Sequence, residues 1–406
     1  MVERSRKFSF SPNGKFLYAH GDGGKLSVWE TASRVLKFTI EKKLNTVLFS
    51  PDEKSIFIAT KREGQIINSQ TGTVIARLDK DVISVRFARW SPNSQYLAVE
   101  IADFSLGLFD AASGKLKNSF LTHERKKKKL AISRLFDFPY IATTVLFTLD
   151  SRRVLTINDD PNNDDPNAEM WDIETGNLVF TLTHKFSYVE FGKIKTKQDR
   201  IWLTEISQDG KWIVSSDYSN SCLWNADTGE IVRKFEGDSD LRFIDDSRYL
   251  GLISEKTSQA TFILDLVTMK TRQLFSKYSG THPVWGPDGR LVLTNRTREE
   301  VSKKEAYIWD FETGKQLATI RTYAKHCFDL VSTCISDSDD FTFSPNSKVL
   351  LSANNTQVKL LDPQNGNLLL EIPDAEGPAF WSPDGKLILA KDIQKGKIGL
   401  WRVKEK

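Results

Sequence analysis

The chain is poor in the residues that most enzyme chemistry needs. Cysteine occurs three times, at Cys222, Cys327 and Cys334, and histidine only five times in 406 residues. Three cysteines build no disulfide framework, and the C-x-x-C pairs that make zinc sites specific are missing. His326, Cys327 and Cys334 therefore read as parts of a packed or solvated loop, and Cys222, beside Leu223 and Trp224, as a core residue. His20, His123, His184, His282 and His326 are scattered, and no G-x-S-x-G, H-E-x-x-H or phosphate-cradling Gly-rich loop accompanies them. No catalytic residue, metal or cofactor is expected. Charge of one sign is lacking too: 57 Lys and Arg face 53 Asp and Glu, a net +4 that points to neither nucleic acid nor a membrane surface. No apolar run approaches the about 20 residues of a spanning helix. Met1–Phe10 is charged and has no apolar centre, unlike a signal peptide. A cytoplasmic protein without membrane contact is the expectation.

What the chain has instead is repetition. An aromatic residue, then Ser or Gly, Pro, Asp or Asn, one of Gly, Ser or Glu, and Lys, Arg or Gln opens at Phe10, Phe49, Trp90, Trp285, Phe343 and Trp381, with weaker copies at Phe147, Ile206 and Phe243. Proline presets φ for a β-turn, Asp or Asn bonds its own backbone, and Gly takes positive φ, so the phrase reads as a tight hairpin. A second phrase follows each copy, an apolar run ending in an aromatic-acidic pair and then Thr-Gly or Ser-Gly. It is clearest at Trp171, Trp224 and Trp309, and paler at Trp29, Asn68, Phe109, Leu264 and Leu361, with a bare Trp401 last. This D-x-x-T-G reads as a three-residue hairpin loop built on a type I turn. Short β-rich runs lie between the phrases.

Each unit is thus a meander of four strands, a to d, and a four-stranded antiparallel sheet repeated at this period is a propeller blade. Nine copies from Pro12 to Pro383 average about 46 residues a step. The predicted fold is an all-β propeller of about nine four-stranded blades in one domain, residues 1–406. Strand c of the ninth unit falls near the end of the sequence, so the last blade is expected to be three-stranded and to close without a blade shared between the termini. Strand c is then an edge, either a place for another chain to add a strand or one protected by loops or charges such as Lys404–Lys406.

These phrases, with intact Trp-Asp pairs at Trp171–Asp172 and Trp309–Asp310, make the chain resemble the WD-repeat β-propellers over essentially its whole length. The S-P-D-G-K turns look like divergent, prokaryote-style repeats. The Gly-His that the family carries before its innermost strand is missing throughout, so the resemblance does not by itself carry over the family's buried Asp-His-Ser-Trp network. Quinone-dependent propeller enzymes resemble the D-x-x-T-G repeats as well, but the Trp they carry soon after the Gly is absent after Gly176, Gly229 and Gly314.

In such a meander the a–b and c–d turns share one face, and the b–c and d–a connections share the other. Every sizeable insertion falls on the second: 122–143, 183–203 and 321–340 between blades, 158–168 and 295–305 within them. Varied loops on a rigid scaffold are where function concentrates. The expected partner-binding residues are Arg125, Lys126, Lys127, Lys128 and Lys129 in a basic run, Asp159, Asp160, Asp164 and Asp165 in an acidic one, and Lys325, His326 and Phe328. The two runs are either solvated and mutually attracting or contacts for a partner. The acidic run lacks the Gly and terminal Glu of a known calcium loop. The expected function is a non-catalytic scaffold, monomeric apart from its protein or peptide partner. The alternative is a propeller enzyme or ligand-binding protein with an axial pocket.

Overall fold

The computed structural model describes residues 5–21, 25–60, 62–101, 105–120, 145–157, 167–190, 193–199, 201, 203–217, 220–236, 239–244, 247–254, 261–275, 284–296, 303–323, 340–394 and 397–403. Apart from one two-stranded ribbon, its strands form eight four-stranded antiparallel meanders, ordered a-b-c-d along the chain, and one of three strands, a-b-c. They are the nine blades of a β-propeller fold, spanning 5–40, 46–77, 82–120, 145–182, 203–236, 239–275, 284–323, 340–372 and 375–402. The ninth has strands a (Ala375–Trp381), b (Leu387–Asp392) and c (Lys397–Arg402) only. No sheet among the described residues combines strands from the two termini, as the repeat pattern predicts.

Internal packing divides the chain into two compact units. One is Met1–Asp22 with Ser27–Leu36 and Arg242–Lys406, and the other is Gly23–Leu26 with Lys37–Leu241. The second holds blades 2–5 whole; the first holds blades 7–9 whole and most of blades 1 and 6.

Within each unit, strands b and c that lie between stacked blades are buried on both faces, so they read as nearly continuous apolar runs. In blade 2, strand b (Ser55–Ala59) buries Ile56, Phe57, Ile58 and Ala59 in succession. Strand d has a neighbour on one edge only, and its first residues stay in solvent: Val74 and Ile75 in blade 2, and Leu178 and Val179 in blade 4, are exposed.

The Ser-Pro turns behave as their chemistry requires. In blade 3, Ser91 Oγ donates to Asn93 Oδ1 at 2.7 Å and accepts the Tyr96 amide at 2.9 Å. The Ser94 amide closes the turn onto the Ser91 carbonyl at 2.9 Å. Ser94 itself stands at φ 62°, where glycine would be easier, and Ser151 (φ 59°) and Ser347 (φ 57°) do the same in blades 4 and 8. Each hydroxyl accepts a backbone N–H from the preceding blade's turn: Asp52 to Ser94 and Asn93 to Ser151 at 3.1 Å, and Asp288 to Ser347 at 3.0 Å. A left-handed L-residue costs about 1–2 kcal/mol, and a hydrogen bond returns about 0.5–1.5 kcal/mol, so the two nearly cancel.

Within the first unit, blade 1 stacks on blade 9 as blade 9 stacks on blade 8. Phe8, Phe10, Leu17, Ala19 and Trp29 of blade 1 cluster with Leu389 and Ile398 of blade 9. Phe8 meets Phe380 edge-on, ring centroids 5.8 Å apart. At Gly14 (φ 76°) a Cβ would lie 2.9 Å from Pro383 Cδ, so the turn that joins these blades needs glycine on both counts.

Candidate binding face and the buried network of blade 5

The expected partner-binding residues Arg125, Lys126, Lys127, Lys128, Lys129, Asp159, Asp160, Asp164, Asp165, Lys325, His326 and Phe328 lie outside the described residues, as do Cys327 and Cys334. The insertion at 295–305 is partly strand: b of blade 7 runs Leu291–Arg296 and c runs Lys303–Asp310. The insertion at 183–203, expected as a loop, contains a two-stranded antiparallel ribbon, His184–Glu190 with Lys193–Asp199. Alternation in H-K-F-S-Y-V-E and K-I-K-T-K-Q-D, around Phe191-Gly192, is a hairpin signal that a reading for loops passes over.

The first residue of that ribbon roots it in blade 5. His184 Nδ1 lies 2.7 Å from Asp217 Oδ2, and its Nε2 lies 2.7 Å from Ser215 Oγ. Ser215 sits on strand b (Trp212–Ser216), and Asp217 opens the b–c turn that follows it. Trp224, on strand c (Asn220–Asn225), donates its Nε1–H to Ser215 Oγ at 2.7 Å and stacks on the imidazole with centroids 6.0 Å apart. Asp217 Oδ1 accepts the Asn220 amide at 2.6 Å. The carboxylate can only accept, so Nδ1–H donates to Asp217, while Ser215 Oγ takes the indole N–H and meets Nε2. All four side chains are buried.

Blade 5 thus holds an Asp-His-Ser-Trp network that the absent Gly-His left unassigned. Thr183 stands where a Gly would precede His184, and the whole ribbon separates that histidine from strand a of blade 5 (Leu203–Ile206), which hid the pattern. Two other blades keep part of it. Trp171 Nε1 donates to Thr156 Oγ1 at 3.0 Å and Trp309 Nε1 to Thr294 Oγ1 at 2.9 Å, from the position that Trp224 holds in blade 5. One register explains all three: the hydroxyl residue of strand b pairs with the residue two before the tryptophan, Glu169, Cys222 and Tyr307 in turn.

A Ser–His–Asp chain with 2.7 Å links is also the connectivity of a nucleophile activated for acyl transfer. Here Ser215 and His184 are buried, and the hydroxyl oxygen already takes the indole N–H. The arrangement holds the d–a connection and the b–c turn together at one end of blade 5. Cys222, on the same strand c, is buried, and burial pushes its thiol up to about 12, the property of an inert core residue. The described residues contain no cluster of His, Cys, Asp and Glu able to hold a metal ion, and no helix long and apolar enough to cross a membrane.

The turn carboxylates face the other end. Asp172 is held below the usual carboxylate range by the Thr175 amide and hydroxyl, and Asp310 by the Thr313 hydroxyl and amide. These are the second-phrase turns, in which Thr and Gly complete the loop around the aspartate.

No protein-family model and no curated protein matches the chain. Solved structures do. A eukaryotic initiation factor is similar at 14% identity with a TM-score of 0.64, over 92% of this chain and 88% of its own. The C-terminal WD40 domain of Sif2 is similar at 10% identity with a TM-score of 0.55, over 100% and 97%. The computationally designed Ika8 protein is similar at 14% identity with a TM-score of 0.50, over 99% and 97%. At such identities the likeness is one of fold: this is a β-propeller similar to the WD40 propellers.

Proposed function

We propose that the protein is a non-catalytic, divergent WD-repeat scaffold that binds a protein or peptide through the face carrying its d–a and b–c connections. One observation carries the reading. The a–b and c–d turns repeat with little variation, whereas the inserted segments 122–143, 158–168, 183–203, 295–305 and 321–340 all belong to d–a or b–c connections. Rigid blades with variable connections at one end are the arrangement by which a scaffold acquires a partner without changing its core. The basic run Arg125–Lys129 and the acidic run Asp159–Asp165 supply charge for recognition at that end. Cytoplasmic residence fits this reading.

Affinity purification of the tagged chain tests it. A protein partner should be recovered, and lost when Arg125–Lys129 is replaced by neutral residues or 321–340 is shortened. Retention of the partner after both changes refutes the placement.

A further inference from the structure

We infer that the blade 5 ribbon is a docking edge for an extended acidic segment of the partner, added as a third strand beside Lys193–Asp199. The inference rests on the scaffold reading and names the chemistry of its partner. In the ribbon's register Phe186 faces Lys197, Tyr188 faces Lys195 and Glu190 faces Lys193. Lys193, Lys195 and Lys197 therefore occupy alternate positions of one strand and share one face. Among the described residues the ribbon is a sheet of two strands, with no third strand along Lys193–Asp199.

A segment laid along that edge would bring every second residue directly opposite one of the three lysines. Opposite charges across strands stabilise pairing and like charges oppose it, so the edge selects a segment with Asp or Glu at alternate positions. The same rule disfavours a second copy of the ribbon, which would set lysine against lysine. A two-stranded ribbon is marginal alone, and a third strand is what such a sheet needs to become stable. His184, locked into blade 5 by its two 2.7 Å bonds, gives the ribbon a fixed base.

The test uses the full chain and a labelled peptide with glutamate at every second position, followed by fluorescence anisotropy. Three companions are measured: the peptide with alternate backbone amides N-methylated, an isomer with its glutamates contiguous, and a single-stranded oligonucleotide. The alternating peptide should bind and weaken in high salt. Affinity should fall about tenfold or more in the Lys193→Gln/Lys195→Gln/Lys197→Gln variant, checked for an unchanged urea midpoint. N-methylation should abolish binding, and the isomer and oligonucleotide should bind more weakly. Equal binding of the N-methylated peptide, an unaffected triple variant, preference for the oligonucleotide, or no peptide binding overturns the inference. If the peptide fails while partner capture still depends on Arg125–Lys129, the scaffold reading stands and only the ribbon edge is lost.

Discussion

Asp217 takes a 2.7 Å hydrogen bond from His184 with both side chains completely shut off from solvent, tying the entry of blade 5 to its b–c turn. Removing the ring in His184→Ala takes a donor from a buried carboxylate, a loss that should exceed the about 1–3 kcal/mol of a neutral group. Thr294→Val in blade 7 removes only the hydroxyl that Trp309 uses and should cost less, about 1–3 kcal/mol. Urea unfolding of the two variants checks the order. Equal losses would mean that the blade 5 network adds nothing beyond one indole bond.

The serine bridges make a finer prediction. Ser94→Ala keeps the left-handed strain and loses the bond from the Asp52 amide, so it should destabilise by about 0.5–1.5 kcal/mol. Ser94→Gly loses the same bond but relieves the strain, and should lie nearer the parent. Thermal unfolding of the pair decides. A glycine variant less stable than the alanine one would contradict this account of the turn.

Gly14 and Gly210 share the same turn position and differ in surroundings. Gly210→Ala meets nothing within 4 Å and should show only the left-handed penalty of about 1–2 kcal/mol. Gly14→Ala adds a Cβ 2.9 Å from Pro383 and should lose clearly more, through the packing of blade 1 on blade 9. Similar denaturant midpoints for the two variants would remove the evidence for that close packing.

Acid should weaken the fold through the second-phrase turns. Asp172 and Asp310 have folded-state values below their ordinary one, so the folded chain favours the carboxylate. Their contribution is present above the ordinary value of about 3.9 and is lost as pH falls through the lower folded values. Each is small because both groups are open to solvent. Tm should therefore decline as pH drops below about 4, and less steeply in Thr175→Ala/Thr313→Ala. An unchanged slope in that double variant would count against it.

Alkylation reads the core directly. With its thiol near 12 and no exposure, Cys222 should stay unmodified by iodoacetamide at neutral pH in the native protein and react once unfolded. Mass spectrometry resolves the site; rapid native labelling of Cys222 would show that blade 5 opens.

Much of this fold is legible in the turns. Proline at Pro12, Pro51 and Pro92 and the aspartates of the second phrase specify backbone shape locally, so the blades can be counted without any tertiary information. The three-stranded last blade follows from the same count. His184 was not legible, because its role depends on Ser215 and Trp224 coming near it in space while the sequence next to it departs from Gly-His. The ribbon is hidden for a related reason: an insertion between regular repeats has the composition of a loop. The inter-blade work of Ser94 is invisible too, since Ser and Gly both satisfy the turn and only the neighbouring blade distinguishes them.

Those serines also bear on how such a chain can grow. The turn of blade 3 offers the Asn93 amide forward to Ser151 and takes the Asp52 amide from behind with Ser94, so one repeat carries both halves of the coupling. A duplicated gene segment would inherit a matched plug and socket, and two such copies could join head to tail without a new interface having to be invented.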